Sequence, residues 1–84
     1  MEIHFTKHAE EKFNVLARHG VKISRTKVIK AITSPDKRDY NRLPLYIVQS
    51  RLDATHILRV VYKIEQRTIY IITFYPGRKS QYEK

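Results

Sequence analysis

The sequence predicts an α+β fold in the order β-α-α-β-β-β-β, a two-helix hairpin packed on a small antiparallel sheet. Three observations lead there. Residues 56–75, His-Ile-Leu-Arg-Val-Val-Tyr-Lys-Ile-Glu-Gln-Arg-Thr-Ile-Tyr-Ile-Ile-Thr-Phe-Tyr, form two β-branched and aromatic runs parted by the polar Glu65-Gln66, which reads as a β-hairpin. Residues 6–34 carry apolar side chains at helical spacing behind two capping residues. From Asp36 onward the pattern changes to period two.

In chain order, Ile3 to Phe5 is β-prone but long enough only for an edge strand. Thr6 can cap a helix with Glu10 and Glu11 in its first turn, where the macrodipole favours acids. Ala9, Phe13, Leu16 and Ala17 make one apolar stripe, and Gly20 stops the helix. Ser24 can cap a second helix whose stripe is Val28, Ile29 and Ile32, ended by Pro35. Lys37 to Tyr40 reads as a ragged strand, Asn41-Arg42 as a turn, and Leu45 to Arg51 as a clearer strand. A tight turn over Leu52-Asp-Ala-Thr55 would set Val48 opposite Arg59 and Arg51 opposite His56. Ile69 to Tyr75 is apolar on both alternating faces apart from Thr73, as expected of a strand covered on both sides or flanked by partners on both edges. Pro76-Gly77 should end it, leaving residues 76–84 as a short basic tail or helical turn.

Eighty-four residues make one domain, of a size that hides only about 60% of its unfolded surface. Seventeen Lys and Arg against eight Asp and Glu give a formal charge of +9, a field that attracts polyanions. Nucleic acid, the ribosome or an acidic protein are therefore the expected partners. The chain has no cysteine, so neither a disulfide framework nor a thiolate zinc site is available. Its N-terminus lacks the basic start and apolar run of a signal peptide, and no segment reaches membrane-spanning length. A cytoplasmic protein with no membrane partner is expected.

Arg59, set between Leu58 and Val60, is the first candidate for chemistry. The even positions His56, Leu58, Val60, Tyr62 and Ile64 form the better core face, which leaves Ile57, Arg59, Val61 and Lys63 on the other. If the helices cover the even face, Arg59 and Lys63 stand on an open sheet face, two alternations apart, where they can bracket a phosphodiester. The competing reading is an arginine that merely solvates the sheet or pairs with an acid. In the tail, Arg78, Lys79 and Tyr82 add two cations and an aromatic hydroxyl able to hold phosphate oxygens and stack on a base. Such a tail can also be only solubilising. Among His4, His8, His19 and His56, each imidazole is suited to proton transfer near neutrality; His8 sits in the first turn of helix one, and His19 at its end, where a cap contact is the ordinary role. No two histidines have i, i+4 ligand spacing with a carboxylate between, and only Gly20 and Gly77 exist, so a metal site, a phosphate loop and a nucleophile elbow are not indicated. No cofactor is expected.

Phe5-Thr-Lys-His-Ala-Glu10, Arg18-His-Gly-Val-Lys-Ile-Ser24, Leu58-Arg-Val-Val-Tyr62 and Ile72-Thr-Phe-Tyr-Pro76 together resemble a widespread family of small bacterial and archaeal proteins, known mainly as a domain of unknown function. That family is similar in turn to the RelE/ParE superfamily of toxins from type II toxin-antitoxin systems. Arg18-His-Gly-Val resembles the helix-helix junction of its BrnT branch. The resemblance implies a RelE-like β-α-α-β-β-β domain, a metal-independent endoribonuclease that cleaves mRNA, on the ribosome or off it, held silent by a cognate acidic antitoxin. ParE-like members instead poison gyrase, and a non-catalytic nucleic-acid or protein binding module is a further alternative. On this resemblance Arg59 matches the strand arginine that stabilises the transition state, and Tyr82 the C-terminal tyrosine that stacks on or activates RNA. Arg78 and Lys79 match the basic residues before it, and His8 with Ala9 matches a His-Ala pair; apart from the resemblance, His8 or His56 is expected as a reserve acid or base. Lys63 and Arg51 complete the expected RNA-binding set. The chain stops two residues after Tyr82, so the C-terminal helix of longer relatives is truncated or absent.

Overall fold

The computed structural model describes residues 1–82. Strands β1 (Glu2–Phe5), β2 (Lys37–Asp39), β3 (Tyr46–Arg51), β4 (His56–Glu65) and β5 (Thr68–Arg78) form one sheet in the order β1-β5-β4-β3-β2. Helices α1 (Lys7–Arg18) and α2 (Arg25–Thr33) lie on one side of it, α1 against β5 and β1, α2 against β4 and β3. A single turn, α3 (Lys79–Tyr82), follows β5. The molecule is thus a small α+β domain. Its sheet is mixed and not purely antiparallel, because β1 runs parallel to β5. Alternation of side chains reports which face is buried but says nothing of strand direction, so this pairing lay beyond the sequence pattern.

Both helices begin and end for local reasons. The Thr6 hydroxyl accepts the Ala9 N–H at 3.3 Å and donates to the Ile71 carbonyl at 2.7 Å, so one residue caps α1 and fastens it to the sheet. At the other end Gly20 has φ +79°; its N–H meets the Ala17 carbonyl at 3.0 Å and the Val21 N–H meets Leu16 at 2.9 Å. That pair of bonds is a Schellman ending, which the left-handed glycine permits. Ser24 caps α2 through the Lys27 N–H at 3.2 Å.

Between the helices and the sheet, Ala9, Val28, Ala31, Val48, Leu58, Val60, Tyr62, Ile69, Ile71 and Phe74 form the core, with Phe13 and Leu16 packed against it. Ala17 is exposed, and Ala31 takes the buried place on α2 that the sequence reading assigned to Ile29, which is half-buried. Each stripe is narrower than expected because a helix lying on a flat sheet presents only its central ridge.

The β4–β5 ladder explains why β5 looked apolar on both faces. Val61 pairs with Thr73 but Tyr62 pairs with Ile71, so Ile72 is an extra, bulged residue. Ile69 and Ile71 before the bulge and Phe74 after it therefore point to the same core, although their numbers differ in parity. The strand also continues through Pro76 and Gly77 to Arg78 and does not stop at proline. In the β4–β5 turn Gln66 and Arg67 have φ of 48° and 65°.

Candidate functional site

The side of the sheet away from the helices carries a row of cross-strand neighbours on four successive strands: Lys37, Gln49, Arg59 and Tyr75. Residues paired in this way share a face, with strands about 4.8 Å apart. Arg59 thus faces away from the helices, between a polar neighbour on each side. Gln49 opposes it in place of the expected Val48, and Arg51 opposes Ile57 instead of His56. The one-residue difference comes from the β3–β4 turn. There the Asp53 carboxylate accepts the N–H groups of Thr55 and His56, both at 2.8 Å, while the His56 carbonyl accepts those of Leu52 and Asp53.

Arg59 is held by three partners. Its Nε donates to the Tyr75 hydroxyl at 3.2 Å, its Nη1 donates to Gln49 Oε1 at 3.3 Å, and its Cζ stands 4.5 Å from the centre of the Tyr82 ring. Gln49 is 4% exposed, so its amide aims the guanidinium from a dry position. The Tyr75 hydroxyl accepts from arginine and keeps its own O–H to donate. Among the described residues nothing hydrogen-bonds Arg59 Nη2. The result is a fixed, half-exposed cation in a shallow hollow of about 120 Å³ that Lys37, Arg38, Asp39, Ile47 and Tyr82 also line.

Tyr82 reaches Arg59 because α3 folds the chain back over β5. Its ring lies on Gly77, where a Cβ would occupy the space of the ring. Ile57, directly opposite Gly77 on the same face, is 1% exposed. The face opposite α1 and α2 is therefore partly roofed at this end, where the Tyr82 ring reaches from Gly77 to Arg59.

The other expected site residues disperse. Lys63 shares the Arg59 face but lies four residues along β4, about 13 Å away at the usual strand rise. It pairs with Glu65 at 3.0 Å and sits over the Tyr70 ring at 5.8 Å. That distance is too great for the two cations to bracket one phosphodiester, so they would meet different phosphates along a strand. Arg51 is exposed at the sheet end on the same face as Arg59. His56 and Arg78 are direct partners across β4 and β5 on the helix side, opposite to Arg59. His8 is exposed on α1, in the helix layer, and His19 caps α1 with its ring 2.9 Å from the Val15 carbonyl. Lys79 follows directly, its N–H bonded to the Thr55 carbonyl at 2.8 Å. The structure brings Arg59 and Tyr82 together, and gathers His56, Arg78 and Lys79 around another end of the molecule.

Sequence reasoning missed Gln49, Tyr75 and Lys37. Only Gln49 left a signal, as the one amide inside the apolar run Leu45-Tyr-Ile-Val-Gln49. The other two acquire meaning from register.

On the helix side Tyr40, Tyr46 and Tyr62 form a second aromatic cluster, with Tyr46 and Tyr62 stacked at 5.2 Å and Tyr40 edge-on to Tyr46 at 5.2 Å. Burial, then the neighbouring Tyr40, push the Tyr62 hydroxyl up to about 12. Asp53 is held down at about 2, first by the Thr55 N–H and then by the His56 side chain. Among the described residues no three His, Asp or Glu side chains gather as metal ligands, and no helix is long and apolar enough to cross a membrane.

Fold and site define a small α+β protein with an arginine-centred sheet face of basic surroundings. The chain belongs to the family described as a domain of unknown function, DUF4258, whose model matches residues 5–76. No curated protein and no solved structure matches it.

Proposed function

We propose that this protein is the toxin of a type II toxin-antitoxin pair, a RelE-like, metal-independent endoribonuclease that cleaves mRNA and is silenced by an acidic antitoxin. The observation that carries this reading is Arg59 on the face opposite α1 and α2, aimed by Gln49 and Tyr75 and roofed by Tyr82. When a 2′-hydroxyl attacks the neighbouring phosphodiester, negative charge grows on the phosphoryl oxygens. A guanidinium fixed in advance by a dry amide stabilises that charge without having to reorganise. Its Nη2 edge and the Tyr75 O–H are the donors left for those oxygens, and Tyr82 offers a ring face for a base. Lys37, Lys63 and Arg51 lie along the same face, where flanking phosphates would run. The net charge of +9 supports both an RNA substrate and an acidic inhibitor.

The test is growth arrest on expression and cleavage of RNA by purified protein, with and without ribosomes. Arg59→Ala should lower cleavage by roughly a hundredfold or more, as for loss of one transition-state donor. A folded Arg59→Ala protein that still cuts and still arrests growth would defeat the assignment.

One observation favours a second reading. His8, His19 and His56 all lie off the Arg59 face, so that among the described residues Tyr75, Tyr82, Lys37 and Asp39, and no imidazole, stand beside the guanidinium. A non-catalytic nucleic-acid module would use the same row for grip alone. Binding that weakens steeply with salt and yields no cleavage product selects it.

A further inference from the structure

The end of the sheet where β3 turns into β4 holds a second cluster that the cleavage reading does not use. Two cavities, of about 600 and 560 Å³, meet there and share His56 and Arg78. One is walled by Thr55, Lys79 and Ser80, the other by Lys22, Lys27, Asp53 and Gln81. Lys22 comes from the α1–α2 link, Lys27 from α2, Arg78 from β5, and so three separate parts of the chain bring cations to one place.

Charge alone does not set this place apart; the state of its acid and its imidazole does. Among the described residues Asp53 is the only carboxylate in either wall, and Oδ1 already accepts from Thr55 N–H, Thr55 Oγ1, His56 N–H and His56 Nδ1 at 2.8 to 3.2 Å. Those donors hold it ionised to about pH 2, and neither Lys22, Lys27 nor Arg78 forms an ion pair with it. Because a carboxylate only accepts, the His56 Nδ1 must carry the proton, at 3.0 Å from Asp53. This fixes the ring orientation and leaves Nε2 with no hydrogen bond among the described residues. Among the described residues no Phe, Tyr or Trp lines either cavity, so neither offers the broad ring platform that Tyr82 gives beside Arg59. What remains is a cationic hollow with hydroxyl and amide donors and one positioned imidazole.

We propose that this hollow is a binding site for a phosphomonoester, the doubly charged terminal phosphate of an RNA end or of a nucleotide. Arg78 and Lys27 meet its oxygens, and His56 Nε2 binds the phosphate hydroxyl of the singly protonated form or, once protonated itself, donates to the dianion. A terminal phosphate fits better than an internal phosphodiester, since Lys22, Lys27 and Arg78 converge where a diester brings only one charge. The site lies on the opposite side of the sheet from Arg59 and stands or falls independently of cleavage there.

The experiment uses the full chain and backbone amide NMR. Inorganic phosphate should shift the amides of residues 20–23, 53–56 and 77–80, and spare those around Ile47 and Val61. An RNA oligonucleotide with a 5′-phosphate should bind more tightly than its 5′-hydroxyl twin, and a nucleoside 5′-monophosphate should show whether the RNA chain adds to the affinity. Lys27→Gln and Arg78→Gln, both exposed and without described ion pairs, should each weaken phosphate binding roughly tenfold or more, as for loss of a charged hydrogen bond. His56→Gln should weaken it too, while Arg59→Ala leaves it unchanged. Equal affinity for the two RNA ends, or phosphate binding indifferent to Lys27→Gln and Arg78→Gln in folded protein, would overturn the proposal. Loss of cleavage in Arg59→Ala with phosphate binding intact would show the two sites to be separate.

Discussion

Gly77→Ala tests the coupling of the chain end to Arg59 without touching either member of the contact. Gly77 does not sit in the left-handed region, so alanine fits its backbone. The new methyl group would fall within the Tyr82 ring, and the ring is the movable party because it stands on the terminal turn α3. Its departure costs a cation–π contact worth about 0.5–1 kcal/mol at a partly exposed site. Replacing glycine by alanine restricts the unfolded chain and returns about 0.4–1 kcal/mol. The two nearly cancel, so the denaturation midpoint should move little while the surroundings of Arg59 change. The assay is the Arg59 Nε–H resonance, which the ring 4.5 Å away shields, read beside a denaturant melt. We expect Gly77→Ala to remove that shielding as fully as Tyr82→Ala does, and both to alter RNA binding or cleavage alike. If Gly77→Ala keeps the shielded resonance, the ring is not seated on Gly77, and Tyr82 is not the roof of Arg59.

Two further outcomes follow from the geometry. Gln66→Asn together with Arg67→Gly should stabilise the protein by about 1–2 kcal/mol, because both positions are left-handed (φ 48° and 65°) and Asn-Gly suits such a turn; unfolding in urea measures this. Tyr62 should ionise near pH 12, after the tyrosines of the unfolded chain at 10.0, in an ultraviolet titration. The fold favours its neutral form, so its contribution to stability is complete below pH 10 and is lost as pH rises towards 12, a decline that Tyr62→Phe should remove.

Much of the frame was legible in residues close together in the chain. Thr6 and Ser24 begin the helices through hydroxyls that accept a backbone N–H three residues on, Gly20 closes α1 through short backbone bonds, and α2 ends at Thr33, shortly before Pro35. The alternation of Leu58, Val60 and Tyr62 assigned the buried face of β4, and with it the outward face of Arg59. The bulge at Ile72, by contrast, made β5 look buried on both sides, since one extra residue reverses parity. The site was legible only in part. Arg59 and Tyr82 meet, but Arg78 and Lys79, adjacent to each other and near Tyr82 in sequence, lie toward His56 instead. Successive strand residues point to opposite faces, so nearness in sequence separates side chains as readily as it joins them.

The sequence by itself determined the helix limits, the hairpin of β4 and β5, the size of the charge and the side of the sheet that Arg59 would face. Those depend on local bonding, on alternation and on composition, none of which requires a partner distant in the chain. Only the tertiary structure decided that β1 runs parallel to β5, that Gln49 and Tyr75 flank Arg59, and that His56 with Arg78 occupies a place of its own. Register and direction are properties of pairs of strands. The Asp53 turn shifts β3 against β4 by one residue, and that single step places an amide, and not Val48, beside the guanidinium.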